Sequence, residues 1–113
     1  MSAQKKEADL AGFQRKFLRG LAHAHKPLVL IGQGGASLPV VKALDDALTR
    51  HELVKVKFLE GKEKSSKRVA AEALREKTGA HLVGLIGHTA IFYRPHPQTR
   101  KRRIVLPSSF PVQ

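Results

Sequence analysis

The sequence predicts an α/β domain with elements in the order α-β-α-β-α-β-β, a mixed four-stranded sheet with helices packed on it. Three features of the chain point there. Apolar residues recur at helical spacing in three separate segments. Short apolar or alternating runs of strand length lie between and after those segments. Gly87-His88 joins the last two runs and has the Gly-X form of a two-residue type II′ hairpin turn.

The first helix is expected over residues 7–22. Leu10, Phe13, Phe17, Leu18 and Leu21 form one stripe, while Arg15, Lys16 and Arg19 make a basic face elsewhere. Lys26-Pro27 breaks the helical pattern and leads into a strand over 28–31, whose unbroken apolar run suggests a central strand buried on both faces. A second helix follows over 38–50. Ser37 is its N-cap candidate, Pro39 is tolerated in its first turn, and Asp46 with Arg50 is a pair at i,i+4 spacing.

The second strand, 53–58, alternates. Val54, Val56 and Phe58 share one face; Lys55 and Lys57 share the other. After a charged loop at 61–64, a third helix is expected over 65–78 with Val69, Ala70, Ala73 and Leu74 inward, and Gly79 stands where a left-handed cap belongs. The last strands are 81–86 and 89–94. Two strand–helix–strand units imply right-handed crossovers, with the final hairpin adding an antiparallel edge. Residues 1–96 read as one domain, and 97–113 as a proline-flanked basic tail, partly disordered, within which 104–106 could dock as a short extra strand.

Composition narrows the function. Lys and Arg number 21 against 9 Asp and Glu, a formal net charge of +12. Such an excess repels itself and calls for an acidic partner, with nucleic acid ahead of an anionic membrane, since no apolar anchor adjoins the basic segments. No run approaches the roughly 18 apolar residues of a membrane span. The N-terminus lacks the pattern of a signal peptide. The absence of cysteine excludes disulfides and thiolate metal sites and fits a cytoplasmic protein.

The candidate site begins at Gly32-Gln33-Gly34-Gly35, between a strand and a helix. Glycines at both ends let the backbone turn sharply and approach another surface closely. The helix start behind them offers unpaired N–H groups and a positive dipole end, where a phosphate fits. A G-x-x-G loop that clamps a nucleotide backbone is an established mode of RNA recognition; the alternative is a plain tight turn.

Several stretches together resemble the CRM domain of the bacterial YhbY family and of plant organellar splicing factors. They are Gly20-Leu21-Ala22-His23 with Lys26-Pro27 and the run to Gly35, then His51-Glu52-Leu53-Val54-Lys55-Val56-Lys57, then Gly79-Ala80, Ile86-Gly87-His88-Thr89 and Tyr93-Arg94-Pro95. The resemblance covers residues 10–95. It implies a fold similar to the C-terminal domain of translation initiation factor 3, a KH-like loop that touches RNA, and a link to precursors of the large ribosomal subunit. Two departures stand out. Gly34 makes the loop unusually glycine-rich, and His88 sits at a hairpin tip where Lys or Arg is more usual, so a fixed charge is replaced by a titratable one.

The remaining RNA-contact candidates are Lys26, Lys55, Lys57, Lys67, Arg68, Arg94 and the tail run Arg100, Lys101, Arg102 and Arg103. Each has a plain alternative as a solvated surface. Lys26 lies near the His51 end of the sheet or opposite the glycine loop. Lys64, Lys67 and Arg68 oppose the dipole of the third helix, which makes a phosphate partner there more plausible, although Glu60, Glu63 and Glu72 could offset them. Tyr93 could stack on a base but fits a packed strand residue better, and Phe13, Phe17 and Phe58 read as core.

No catalytic pattern is present. His23-x-His25 is the only close histidine pair, no G-x-S-x-G surrounds a serine, and the glycine loop lacks the Lys-Ser/Thr ending of a P-loop. Neither a metal nor a cofactor is expected. The resulting expectation is a non-catalytic RNA-binding protein that assists large-subunit ribosome assembly. The rivals are a general nucleic-acid coating protein and an RNA-acting enzyme.

Overall fold

The computed structural model describes residues 10–59 and 63–108. Its elements follow the expected order: α1 (Gly12–Ala22), β1 (Val29–Ile31), α2 (Leu38–His51), β2 (Leu53–Phe58), α3 (Lys64–Thr78), β3 (His81–Ile86) and β4 (Thr89–Tyr93), then a 3-10 turn at Thr99–Lys101. The expected helix over 7–22 thus begins at Gly12 within the described residues. Leu10 lies outside the helix and is still buried. The Gln14 side chain reaches back to accept the Ala11 N–H at 3.0 Å and marks the start.

The sheet order is β1-β2-β4-β3, with β1 parallel to β2 and the other pairs antiparallel. The hairpin therefore does not add β4 as an edge. The crossover through α3 leaves a gap one strand wide, and β4 turns inward to fill it. Its run Ala90-Ile91-Phe92-Tyr93 is buried throughout, which only an inner strand covered on both faces allows.

β1, expected at the centre, forms an edge. Val29 and Ile31 pack inward, but Leu28 and Leu30 alternate to the other face and are about half exposed, at 52% and 53%. Among the described residues, α1 covers that face over β2, β4 and β3.

Two cores result. On one face, α2 and α3 lay Leu44, Leu48, Ala71 and Leu74 over Val56, Phe58 and Phe92. Full burial of a side chain of that size contributes about 1.5–3 kcal/mol. On the other, α1 brings Leu18 and Ala22 against Leu53, Val83, Ile91 and Tyr93. Phe17, expected in the core, and Leu21 from the same stripe are instead exposed. Val69 also points outward, at 69% exposure. The buried stripe of α3 is Lys67, Ala70, Ala71, Leu74 and Thr78; Val69 stands about 200° around the helix from Lys67, at 3.6 residues per turn. Asp46 pairs with Lys42 at 3.5 Å rather than with Arg50.

The local turn chemistry is as expected. Gly79 closes α3 at φ 71°, and in the hairpin Gly87 alone has positive φ, at 59°, as a type II′ turn requires.

Beyond Arg94 the chain returns to the domain. The buried carboxylate of Glu52 accepts the backbone N–H of His96 at 2.8 Å, of Arg103 at 2.9 Å and of Ile104 at 3.1 Å. Ile104 and Leu106 pack on the α1-side core, and the Gln14 amide donates to the Pro107 carbonyl at 3.0 Å. Residues 104–106 dock without forming a strand. Packing therefore continues across the expected boundary at 96, and residues 97–108 are not a separate tail. Residues 109–113 of the expected tail lie outside the described residues.

Candidate nucleic-acid interface

Strand register gathers four segments at one end of the sheet. Ile31 pairs with Phe58, so β1 and β2 end together, and the Leu59 N–H donates to the Ile31 carbonyl at 2.8 Å. The Phe58 N–H donates to the His88 carbonyl at 2.8 Å, which places the hairpin tip there. Lys67, 8% exposed, donates from Nζ to the Gly87 carbonyl at 2.9 Å and lies 3.4 Å from His88 Nδ1. The glycine loop, the end of β2, the first turn of α3 and the β3–β4 tip thus adjoin.

Within the loop, the Gly35 N–H donates to the Gly32 carbonyl at 3.2 Å, and the Ser37 N–H to the Gly35 carbonyl at 2.9 Å. Gly35 has φ 64°, a conformation that a side chain resists. Gly32 and Gly34 do not have positive φ. Among the described residues beyond its chain neighbours, a Cβ on Gly32 would meet no atom within 4 Å, and one on Gly34 would touch Ser37 at 3.9 Å. Gln33 and Gly34 are exposed at the tip.

Ser37 occupies the N-cap of α2 without a side-chain cap bond, and Pro39 has no N–H to offer. Among the described residues, the N–H groups of Leu38 and Val40 have no partner. The start of α2 therefore presents bare donors and the positive end of the helix dipole beside an unencumbered backbone.

The expected contact residues divide between the two ends of the sheet. At the loop end, Lys57 and His88 are exposed. Arg68 is also exposed, and reaches Glu72 at 3.5 Å. Lys67 is there too, but its ammonium braces the hairpin. Lys26 lies before the start of β1, opposite the glycine loop and level with the end of the sheet where His51 sits. Lys55 turns that way as well, donating from Nζ to the His25 carbonyl at 3.0 Å.

Arg94 is engaged inside the fold. Its guanidinium meets Asp45 Oδ1 at 2.6 Å, the Thr78 carbonyl at 2.7 Å, the Asp45 carbonyl at 3.1 Å and Thr49 Oγ1 at 3.0 Å, tying α2 to the end of α3. Arg100, Lys101, Arg102 and Arg103 are exposed at the same end, with Arg102 Nε donating to the His96 carbonyl at 2.7 Å. Tyr93 is buried and its ring stacks on His81 at 6.0 Å, so it does not face a ligand.

Sequence reasoning passed over Arg50 and His96 beside the tail and over the part played by Glu52. The signal available was Glu52 itself, an acidic residue between a helix end and an apolar strand.

Among the described residues, no group of three or more His, Asp or Glu could hold a metal ion, and no helix is long and apolar enough to cross a membrane.

A small α/β domain that carries a glycine loop and bare helix donors at one end of a mixed sheet is a class of fold with geometry suited to an anion. Comparison with known proteins makes the class specific. Residues 10–94 match the model of the CRS1 / YhbY (CRM) domain, and the chain belongs to that family. It is 37% identical over 87 residues to an RNA-binding protein of Haemophilus influenzae, covering 77% of this chain and 87% of that one. It is 35% identical over 92 residues to the probable RNA-binding protein YqeI of Bacillus subtilis, covering 81% and 95%. The solution structure of a hypothetical protein from Staphylococcus aureus superposes with a TM-score of 0.75 at 38% identity, covering 87% of this chain and 99% of that one.

Proposed function

We propose that the protein is a non-catalytic RNA-binding factor whose glycine loop, with the start of α2, receives the RNA backbone, and that it acts in assembly of the large ribosomal subunit. RNA as the partner is supported by the names of its relatives and by the net charge of +12. The ribosomal role rests on the resemblance to the YhbY family.

The observation that carries the contact site is the pair Gly32 and Gly34. Neither needs glycine for its φ, and among the described residues nothing beyond its chain neighbours fills the space above Gly32. Missing side chains beside the unpartnered N–H groups of Leu38 and Val40 suit close approach of a phosphate. Lys57 and Arg68 add long-range attraction around it.

The test replaces Gln33 and Gly34 together with Asp. Two carboxylates at the tip oppose a phosphate, each at a cost of roughly 1 kcal/mol at 4 Å in water. RNA affinity should fall at least about tenfold, with the melting temperature nearly unchanged. A folded double variant that binds RNA as tightly as the parent would overturn the loop assignment. Crosslinking in cells followed by sequencing of the attached RNA tests the assembly role, for which precursor RNA of the large subunit is the expected catch.

A further inference from the structure

At the other end of α2, a cleft of about 610 Å3 opens between the last turn of the helix and the returning chain. Thr49, Arg50 and His51 line one side; His96, Lys101 and Arg103 line the other, with Glu52 at the base. Both carboxylate oxygens of Glu52 are occupied by backbone N–H groups of residues 96, 103 and 104, so its acceptors face the chain rather than a ligand.

The cations are differently disposed. The side chains of Arg50, Lys101 and Arg103 have no ion-pair or hydrogen-bond partner among the described residues. His96 accepts the Gln98 N–H at Nδ1, at 2.9 Å, so Nε2 carries the ring proton when the ring is neutral and is a further donor. The nearby Asp45 and Asp46 are already engaged by Arg94 and Lys42. The three free cations outweigh the occupied Glu52 carboxylate and the roughly half negative charge at the end of α2, which leaves the cleft net positive, as a phosphate ester requires.

Resting on the RNA reading above, we propose that this cleft is a second RNA-backbone site, which holds a stretch of the same strand that the glycine loop engages. The 14 residues of α2, at about 1.5 Å each, separate the two sites by about 20 Å. A strand must run several nucleotides to reach both, and Glu52 makes the second site by holding the basic segment against the helix end. The two sites together select for length of RNA, which neither does alone.

The experiment measures the full chain and its Arg50→Glu/Arg103→Glu variant with a single-stranded RNA of about 4 nucleotides, the span of one G-x-x-G clamp, and one of about 20, longer than the site of a single OB fold. Both altered side chains are exposed, and the Arg103 backbone bond to Glu52 is retained. The variant should bind the long RNA at least about tenfold more weakly, with a salt slope smaller by about 1.4 for two lost single-strand contacts, and the short RNA as the parent does. Arg50→Ala/Arg103→Ala, which removes charge without adding any, should show a smaller loss in the same direction and serves if the first variant melts early.

Equal affinity of parent and variant for the long RNA overturns this inference and leaves the loop assignment standing. So does a variant that binds the long RNA normally but loses affinity for adenosine monophosphate, which would mark the cleft as a mononucleotide site. A parent that binds neither RNA overturns the functional reading and this inference with it.

Discussion

The Glu52 carboxylate accepts the backbone N–H of Arg103 at 2.9 Å, joining residues 51 positions apart. Glu52 has φ 65° and 3% exposure, an unusual pairing of a left-handed backbone with a buried acid. The backbone kink lets β2 begin directly after α2, and the side chain anchors the basic segment through three N–H groups. A left-handed non-glycine residue costs on the order of 1–3 kcal/mol, and it persists where the surroundings over-determine it.

Glu52→Gln should release that segment. It removes the charge and turns an amide N–H₂ toward backbone donors. The expected loss is about 1–3 kcal/mol, read by urea unfolding, with new proteolytic cleavage within residues 97–108. A variant as stable and as resistant as the parent would show that the three bonds do not hold the segment.

Truncation after residue 96 should destabilise the domain. It uncovers the α1-side core where Ile104 and Leu106 pack and leaves Glu52 without two of its three carboxylate donors. A melting temperature lower by several degrees is expected, since about 1 kcal/mol shifts a domain of this size by roughly 4–8 °C. An unchanged melting curve would mean the packing contributes nothing.

The glycines of the loop should separate under alanine substitution. Gly35→Ala forces a side chain into φ 64° and should cost about 1–2 kcal/mol of stability. Gly32→Ala has space for its methyl group and should leave stability unchanged while weakening RNA binding. Equal effects of the two on melting would remove the distinction.

Arg94 and Lys57 should separate in the opposite manner. Arg94→Ala breaks the tie from α2 to α3 and should cost about 1–2 kcal/mol, the partial exposure of Asp45 limiting the ionic share. RNA affinity of the folded fraction should hold. Lys57→Ala should leave the melt untouched and reduce the salt slope of RNA binding by about 0.7. An Arg94 variant with normal stability and lost RNA affinity would reverse these roles.

The chain by itself determined what depends on near neighbours. The helical segments, the alternation of β2, the αL cap at Gly79 and the hairpin at Gly87-His88 are set by residues within a few positions of one another and were legible, although Phe17, Leu21 and Val69 of the expected stripes are exposed. The glycine loop was legible as a motif for the same reason. Only the tertiary structure decided the strand order, because β2 can pair with β3 or leave room for β4 without any change in local pattern. It decided which lysines face out: Lys67 and Lys57 look alike in sequence, but Lys67 meets the Gly87 carbonyl 20 positions away. It decided that Arg94 is a clamp, through Asp45, 49 positions away, and that the basic segment is anchored, through Glu52. Contacts closed over such distances depend on where the whole chain brings each backbone donor and acceptor, and no window of neighbouring residues records that.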